Sequence, residues 1–427
     1  LSLERERSGQ YHPSFTLLQS FFHLLHNRMG RLLTVGVVGG ILLGILLQRL
    51  HSLLGIFMFK SSAPELTECD TIRFSTGKGT EDVRFVDENW ALVSNFDYLQ
   101  TMRPGYLAEE RIQPLRAINM KTGKKVEKVQ MTDFPADVGF RPHGIAVDQE
   151  TNTLTVVNHA WALGGSRIEL FKIIVGGGSI KLKYLQSIES PTFPNGVLNS
   201  AALLFNDGDS EFGVFVSSWL AFECPLEGVS KTYSLKSVGA MISGLPLVRI
   251  QFCTSSGGCR PVGARGTSWN GIELSADKRH LVVADSGWRA LQLYEVTGPR
   301  TGVLRALQNL KLTHHVDNLS RPVPGQDVFL GGGLYRGLEL LRLKEEVAAG
   351  EDPEGTGLLV PSVAHRIRLV PSGWWQRGGV RLSVEVLRAS DRGAWSAAAG
   401  PPNMMEEGKG LVVFGTVFYP EVTVCKY

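Results

Sequence analysis

Apolar and polar positions alternate with a short period along most of this chain. The stretch RPHGIAVDQETNTLTVVNH, Arg141 to His159, shows the pattern. Two apolar runs, His143–Val147 and Leu154–Asn158, flank a turn of Asp, Gln, Glu, Thr and Asn. Short runs separated by such a turn predict a β-hairpin. With the turn centred near Thr151, residues whose numbers sum to about 302 face each other, so His143 falls opposite His159. Directly opposed residues of an antiparallel pair have Cβ atoms about 5 Å apart. The hairpin therefore predicts two adjacent imidazoles at its open end.

The pattern recurs. HGIAVDQETNTLTVVNHAWALGGSRIELFKI, NGIELSADKRHLVVADSGWRALQLYEV and DNLSRPVPGQDVFLGGGLYRGLELLRL each open on His, Asn or Asp-Asn. Each then has a polar turn, an apolar strand, a Gly- or Ala-rich break and a final alternating strand. VRFVDENWALVSN and NSAALLFNDGDSEFGVFVSS follow the same order more loosely. Asn270 and Asn318 lie 48 positions apart, within the size of a propeller blade. Strand repeats of this size without helical periodicity predict an all-β fold, a β-propeller. Residues 222–264 and 345–408 break the alternation; the second stretch is rich in Gly, Pro, Ala and Glu and holds Trp374-Trp375. They are expected to be surface insertions, in part disordered.

The N-terminal part has a different pattern. Leu32 to Leu47 is apolar without a charge, and a second apolar run reaches Phe59. Together, with Arg49 snorkelling, residues 32–59 are long enough to span a bilayer. A cleaved signal peptide is the rival reading, with Ser61-Ser62-Ala63 as its cleavage site. An uncleaved signal anchor is the preferred expectation. Arg5, Arg7, Arg28 and Arg31 precede the span, which puts residues 1–31 in the cytosol and the domain at 68–427 on the exoplasmic or lumenal side. Gly36, Gly40 and Gly44 recur at helical spacing, a face that permits pairing into a homodimer.

Composition narrows the classes. The net charge of +3 over 427 residues is spread out, with no basic stripe of the kind that binds nucleic acid. The five cysteines, Cys69, Cys224, Cys253, Cys259 and Cys425, include no C-x-x-C pair, which argues against zinc. A bridge from Cys69 to Cys425 would close a ring and imply an oxidising compartment. Cys253 and Cys259 flank Thr-Ser-Ser-Gly-Gly and would close a small loop; five free thiols are the alternative.

The residues that open the repeats carry candidate chemistry. His143, Asn270 and Asp317-Asn318 precede inner strands, whose starts converge on the tunnel of a propeller. Asn and Asp side chains are hard oxygen ligands suited to Ca²⁺ rather than to zinc. Taken singly, each also reads as a turn cap.

Several motifs, in order, resemble the paraoxonase/arylesterase family of calcium-dependent six-bladed propeller lactonases. They are GTEDVRFVDENWALVSN, RPHGIAVD, LTVVNH, SRIELFKI, PNGVLNS, WNGIELSADK, HVDNLS and GTVFYPEVTVCKY. The resemblance runs from Cys69 to Cys425, apart from the two irregular stretches. It implies a catalytic calcium held by Glu81, Asn199, Asn270, Asp317 and Asn318. It makes His143 the general base that activates water and His159 its orienting partner. It also implies a Cys69–Cys425 disulfide, and places Gly332 where the family has a free cysteine. A second, structural calcium would fall on Asp82, Ser200 and the Ile145 carbonyl. The family has Asp where this chain has Ser200, so that site is expected to be empty or weaker than the first.

The expectation is a membrane-anchored hydrolase of lactones and aryl esters, an arylesterase or lactonase. Calcium would polarise the carbonyl and the histidine pair would activate water. No G-x-S-x-G elbow suggests a serine hydrolase. The alternative is a calcium-binding propeller without catalysis, acting as a binding or chaperone-like membrane ectodomain. A different propeller enzyme, strictosidine-synthase-like or gluconolactonase-like, should lack the Glu81-Asp82 pair and the hairpin histidines.

Overall fold

The computed structural model describes residues 28–55, 68–75, 79–95, 112–160, 165–193, 197–205, 212–222, 231–256, 258–298, 300–335, 360–372, 379–390, 395–401 and 410–426, with residues 337, 339, 342, 343 and 346. The chain divides into two units, Leu1–His51 and Ser52–Tyr427.

The described part of the first unit is helical. The helix runs Arg28–Leu54, 27 residues, or about 40 Å at 1.5 Å per residue. Its Thr34–His51 segment is long and apolar enough to cross a membrane, by length and composition. A Cβ added at Gly36, Gly40 or Gly44 would meet nothing within 4 Å, so this face is smooth along the helix.

The second unit is a β-propeller of six sheets. The first blade comprises Val83–Phe85, Trp90–Val93, Arg116–Asn119 and Lys124–Val126. The second comprises Pro142–Asp148, Thr153–Ala160, Gly165–Gly176 and Ser179–Ile188, with Gln130–Thr132 added in parallel at its outer edge. The third has Val197–Phe205, Phe212–Leu220, Val248–Thr254 and Cys259–Gly266. The fourth has Trp269–Leu274, His280–Asp285, Ala290–Gly298 and Val303–Lys311. The fifth has Leu319–Ser320, Val328–Leu334, Ser362–Pro371 and Val380–Ser390. The sixth takes three strands from the end of the chain, Trp395–Ala399, Leu411–Thr416 and Glu421–Lys426, and its outermost from the beginning, Cys69–Arg73.

Burial falls from hub to rim. The inner strands of the first and sixth blades are buried throughout, whereas the outer strand of the fourth is half-buried or exposed along its length. Apolar clusters lie between neighbouring blades. Leu92 and Ala117 meet Ile145 and Phe171 between the first two blades. Phe74 and Val413 meet Val83 and Val93 between the last and the first. The ring is therefore closed by packing as well as by hydrogen bonds. Cys69 pairs with Cys425 in register, and the two are joined by a disulfide 356 positions apart. A second disulfide joins Cys253 and Cys259 across the outer hairpin of the third blade. Cys224 lies outside the described residues.

Two expectations are corrected. The stretch 222–264 is no mere surface insertion: it holds a helix, Lys231–Ser243, and most of the outer hairpin of the third blade. The stretch 345–408 contains the outer strands of the fifth blade and the inner strand of the sixth. Outer strands have one face half in water, so charged residues interrupt the apolar alternation. In Ser362–Pro371, Val363, His365 and Ile367 turn inward, while Arg366 pairs with Glu385 on the outside. Trp374 and Trp375 lie outside the described residues.

Candidate functional site

The candidate side chains stand near the starts of inner strands, except His159, which lies at the end of the second strand of the second blade. Glu81 and Asp82 precede the first blade, Asn270 lies in the start of the fourth, and Asp317-Asn318 precede the fifth. Asn199 and Ser200 lie early in the inner strand of the third blade. Two glycines allow these backbones to touch. A Cβ on Gly144 would lie 2.1 Å from the Asn199 carbonyl oxygen, and one on Gly271 would lie 2.5 Å from that of Asp317. Gly271 N–H donates to the Asp317 carbonyl at 2.9 Å. Ser217 Oγ donates to the Asn270 and Ser200 carbonyls, and Ser396 Oγ donates to the Glu81 carbonyl. Blades one, three, four, five and six are thereby stitched together at the hub.

The side chains converge. Asn318 Nδ2 donates to Glu81 Oε1 at 2.9 Å and to the Glu81 carbonyl at 3.1 Å. Asn270 donates to the Asp317 carboxylate. Four oxygens in this group, Glu81 Oε2, Asn199 Oδ1, Asn270 Oδ1 and Asn318 Oδ1, are buried without a hydrogen-bond partner. An unpaired buried acceptor costs about 1–3 kcal/mol, so four together call for a shared partner. Burial pushes the Asp317 carboxyl well above its ordinary range, and the Glu81 charge adds to the push. Two carboxylates and three amide oxygens are a donor set for a hard cation such as Ca²⁺. Among the described residues no group of three or more His, Cys, Asp or Glu could hold a metal, and this amide-rich set is of another kind.

The histidines of the hairpin meet beside these oxygens. Strand pairing runs Pro142 with Asn158, then Ile145 with Val156, with a bulge between. The register therefore sums to 301 beyond the bulge, one less than expected, and the extra residue is absorbed at His143-Gly144. His143 Nδ1 and His159 Nε2 still lie 3.0 Å apart, and His143 Nε2 lies 3.3 Å from Glu81 Oε1. Carboxylate, imidazole and imidazole thus form a chain. Burial opposes charge on His143, but the Glu81 carboxylate outweighs it and raises the His143 pKa. Burial and the neighbouring His143 hold His159 well below its ordinary value. Behind His159, Asn158 bridges the Glu169 carboxylate and the Gly139 carbonyl and accepts from the Arg141 N–H. That network fixes the strand that carries the second imidazole.

The residues of the second implied calcium do not fit a cation. Asp82 Oδ1 accepts from Arg84 Nη1 at 2.7 Å and from Val83 N at 2.9 Å, and Asp82 Oδ2 accepts from Ile145 N at 2.9 Å. Ile145 thus presents its N–H to this carboxylate. Burial raises the Asp82 pKa, to about 7, against the opposing pull of Arg84 and of the Ile145 and Val83 N–H groups. The buried Ser200 Oγ has no hydrogen-bond partner. At Gly332 a Cβ would lie 2.6 Å from the Ala397 backbone nitrogen, so the fifth blade leaves no room for a cysteine there.

Three charged residues of the hub were not among the sequence candidates: Arg84, Glu273 and Arg321. Their signal was a lone charge on or just after an inner strand, as in V-R-F and G-I-E-L.

No known family model matches the chain, and no curated protein matches it. Among solved structures it is similar to a protein provisionally named a gluconolactonase, at 14% identity over 86% of this chain and 97% of the other, TM-score 0.42. A gluconolactonase from Xanthomonas campestris matches at 11% identity over 87% and 94%, TM-score 0.42. A luciferin-regenerating enzyme matches at 11% over 84% and 95%, TM-score 0.41. Likenesses this remote carry no functional argument.

Proposed function

We propose that this protein is a calcium-dependent hydrolase of lactones and aryl esters, as in the paraoxonase/arylesterase family. One observation carries the reading. Four buried side-chain oxygens, on Glu81, Asn199, Asn270 and Asn318, have no hydrogen-bond partner and stand at the starts of inner strands that also carry Asp317 and the contacting histidine His143. Glu81, Asn199, Asn270, Asp317 and Asn318 would hold the ion. Bound there, it would supply a Lewis acid for the substrate carbonyl and its developing oxyanion.

The chain's own residues supply the rest. His143 accepts the proton of the attacking water, and the Glu81 carboxylate favours the imidazolium that forms. His159 holds the His143 ring by its Nδ1 and keeps its neutral form, ready to share the proton. The hub excludes bulk water from this pair, since both imidazoles are buried. The reaction breaks the acyl C–O bond; the water oxygen joins the acyl carbon and the proton passes to the leaving oxygen.

The apolar helix would serve as a signal anchor, with the propeller exoplasmic or lumenal. That side suits the two disulfides. The test is hydrolysis of phenyl acetate and of a medium-chain lactone by the full chain in detergent, with and without EGTA. Calcium-dependent turnover of either substrate is expected. No turnover of both would remove the enzyme reading and leave a binding propeller.

A further inference from the structure

Beneath the proposed calcium site the tunnel carries a second layer of charge. Arg84 lies on the inner strand of the first blade, Glu273 on that of the fourth, and Arg321 just past that of the fifth. Arg84 is buried to 4% exposure. Its Nη1 holds Asp82 at 2.7 Å, and its charge acts on Glu81 and on Glu273. Arg321 acts on Glu273 as well, through its charge and its backbone N–H. One electrostatic network therefore joins Glu81, Asp82, Glu273 and Asp317 with Arg84 and Arg321.

The Arg84–Asp82 contact decides whether a second metal ion can enter. A second divalent ion would have to displace Arg84 from Asp82, and a buried charge stripped of its partner is strongly destabilising. Ser200 offers only a neutral hydroxyl toward such an ion, and calcium affinity depends on the charge count of the ligands.

We propose that Arg84 is the second cation of this hub: its guanidinium takes the place at Asp82 that a structural metal ion would take, so the propeller binds one divalent ion. The inference rests on reading the five upper residues as a calcium site. The guanidinium is tethered and permanently charged. Asp82 therefore keeps its cationic partner when calcium is withdrawn.

The test is calcium stoichiometry, by equilibrium dialysis of the full chain in detergent against CaCl₂. The wild type is expected to bind one ion. Arg84→Ala/Ser200→Asp opens the lower site and restores its missing carboxylate, so it should bind two, with a larger rise in Tm on adding calcium than the wild type shows. Ser200→Asp alone should stay at one, because Arg84 still occupies Asp82. Two ions in the wild type or in Ser200→Asp would overturn the proposal, as would an unchanged count in the double variant. Should the double variant fold only in millimolar calcium, that dependence is itself the expected gain; should it fold in neither condition, the count in Ser200→Asp decides. No ion in the wild type would instead remove the upper calcium site; a gain of one ion in the double variant would then still support the role of Arg84.

Discussion

His143 touches a carboxylate through one ring nitrogen and an imidazole through the other, and that double contact sets what its removal does. His143→Gln keeps a donor near Glu81 but loses the base. It is expected to lower kcat by about 10- to 1000-fold, a general base contributing about 10²–10⁴, with calcium affinity nearly unchanged. Steady-state kinetics beside a calcium titration check this, and a wild-type kcat would mean that another group takes the proton. A second histidine cluster lies in the fifth blade. His365 is fully buried 5.7 Å from His314, and burial, with His314 beside it, lowers its pKa to about 3. Burial and Arg289 lower that of His314 to about 4. The unfolded chain protonates such rings near 6.5, so the folded state binds fewer protons below that pH. Their contribution is complete above about pH 6.5 and is lost as pH falls toward 4 and 3. The Tm of His365→Gln should therefore fall less than that of the wild type between pH 7 and pH 4. Parallel declines would show that this imidazole is not the sensitive group.

Inner strands approach each other so closely at the hub that two glycines act as spacers. Gly144→Ala drives a methyl group into the Asn199 carbonyl, where only backbone can yield. A loss of about 1–3 kcal/mol is expected, the usual result of overpacking, together with weaker calcium binding as Asn199 shifts. Gly176→Ala meets nothing within 4 Å and serves as the control. Melting of both variants tests this; equal Tm values would show that the contact at Gly144 is slack. The inner strands were also the most legible part of the sequence. His143, Asn270 and Asp317-Asn318 stood out because each precedes a run buried on both faces. The outer strands were harder to see. Val248–Thr254 buries alternate residues but carries Arg249 and Gln251 between them, and so read as irregular. The bulge at His143-Gly144 was invisible, since alternation alone cannot tell one opposing residue from two. Arg84 carries no such signal, because an arginine on a strand ordinarily faces water; here it is buried and its guanidinium meets Asp82 of the same blade.

The whole molecule is a ring whose ends meet in one blade, and its stability depends on that closure. The Cys69–Cys425 bridge spans 356 positions and the Cys253–Cys259 bridge spans 6. Loop-closure entropy grows with the length closed. Cys69→Ser is expected to cost about 2–5 kcal/mol, as losses of native disulfides do, and Cys253→Ser markedly less. Equal losses of Tm in the two variants would mean that packing between the last and first blades closes the ring unaided. At the centre of the same ring, the unpartnered oxygens of Glu81, Asn199, Asn270 and Asn318 come from four different blades, so an ion held there acts on the whole assembly. An ion that binds the folded chain alone stabilises it by about 2.7 kcal/mol when its free concentration is 100 times its Kd. The most direct measurement is the thermal melt of the full chain in calcium and in EGTA. A Tm that rises steadily with free calcium, and returns when calcium is restored after chelation, is the predicted result. Coincident melts in calcium and in EGTA would contradict a metal ion at the hub.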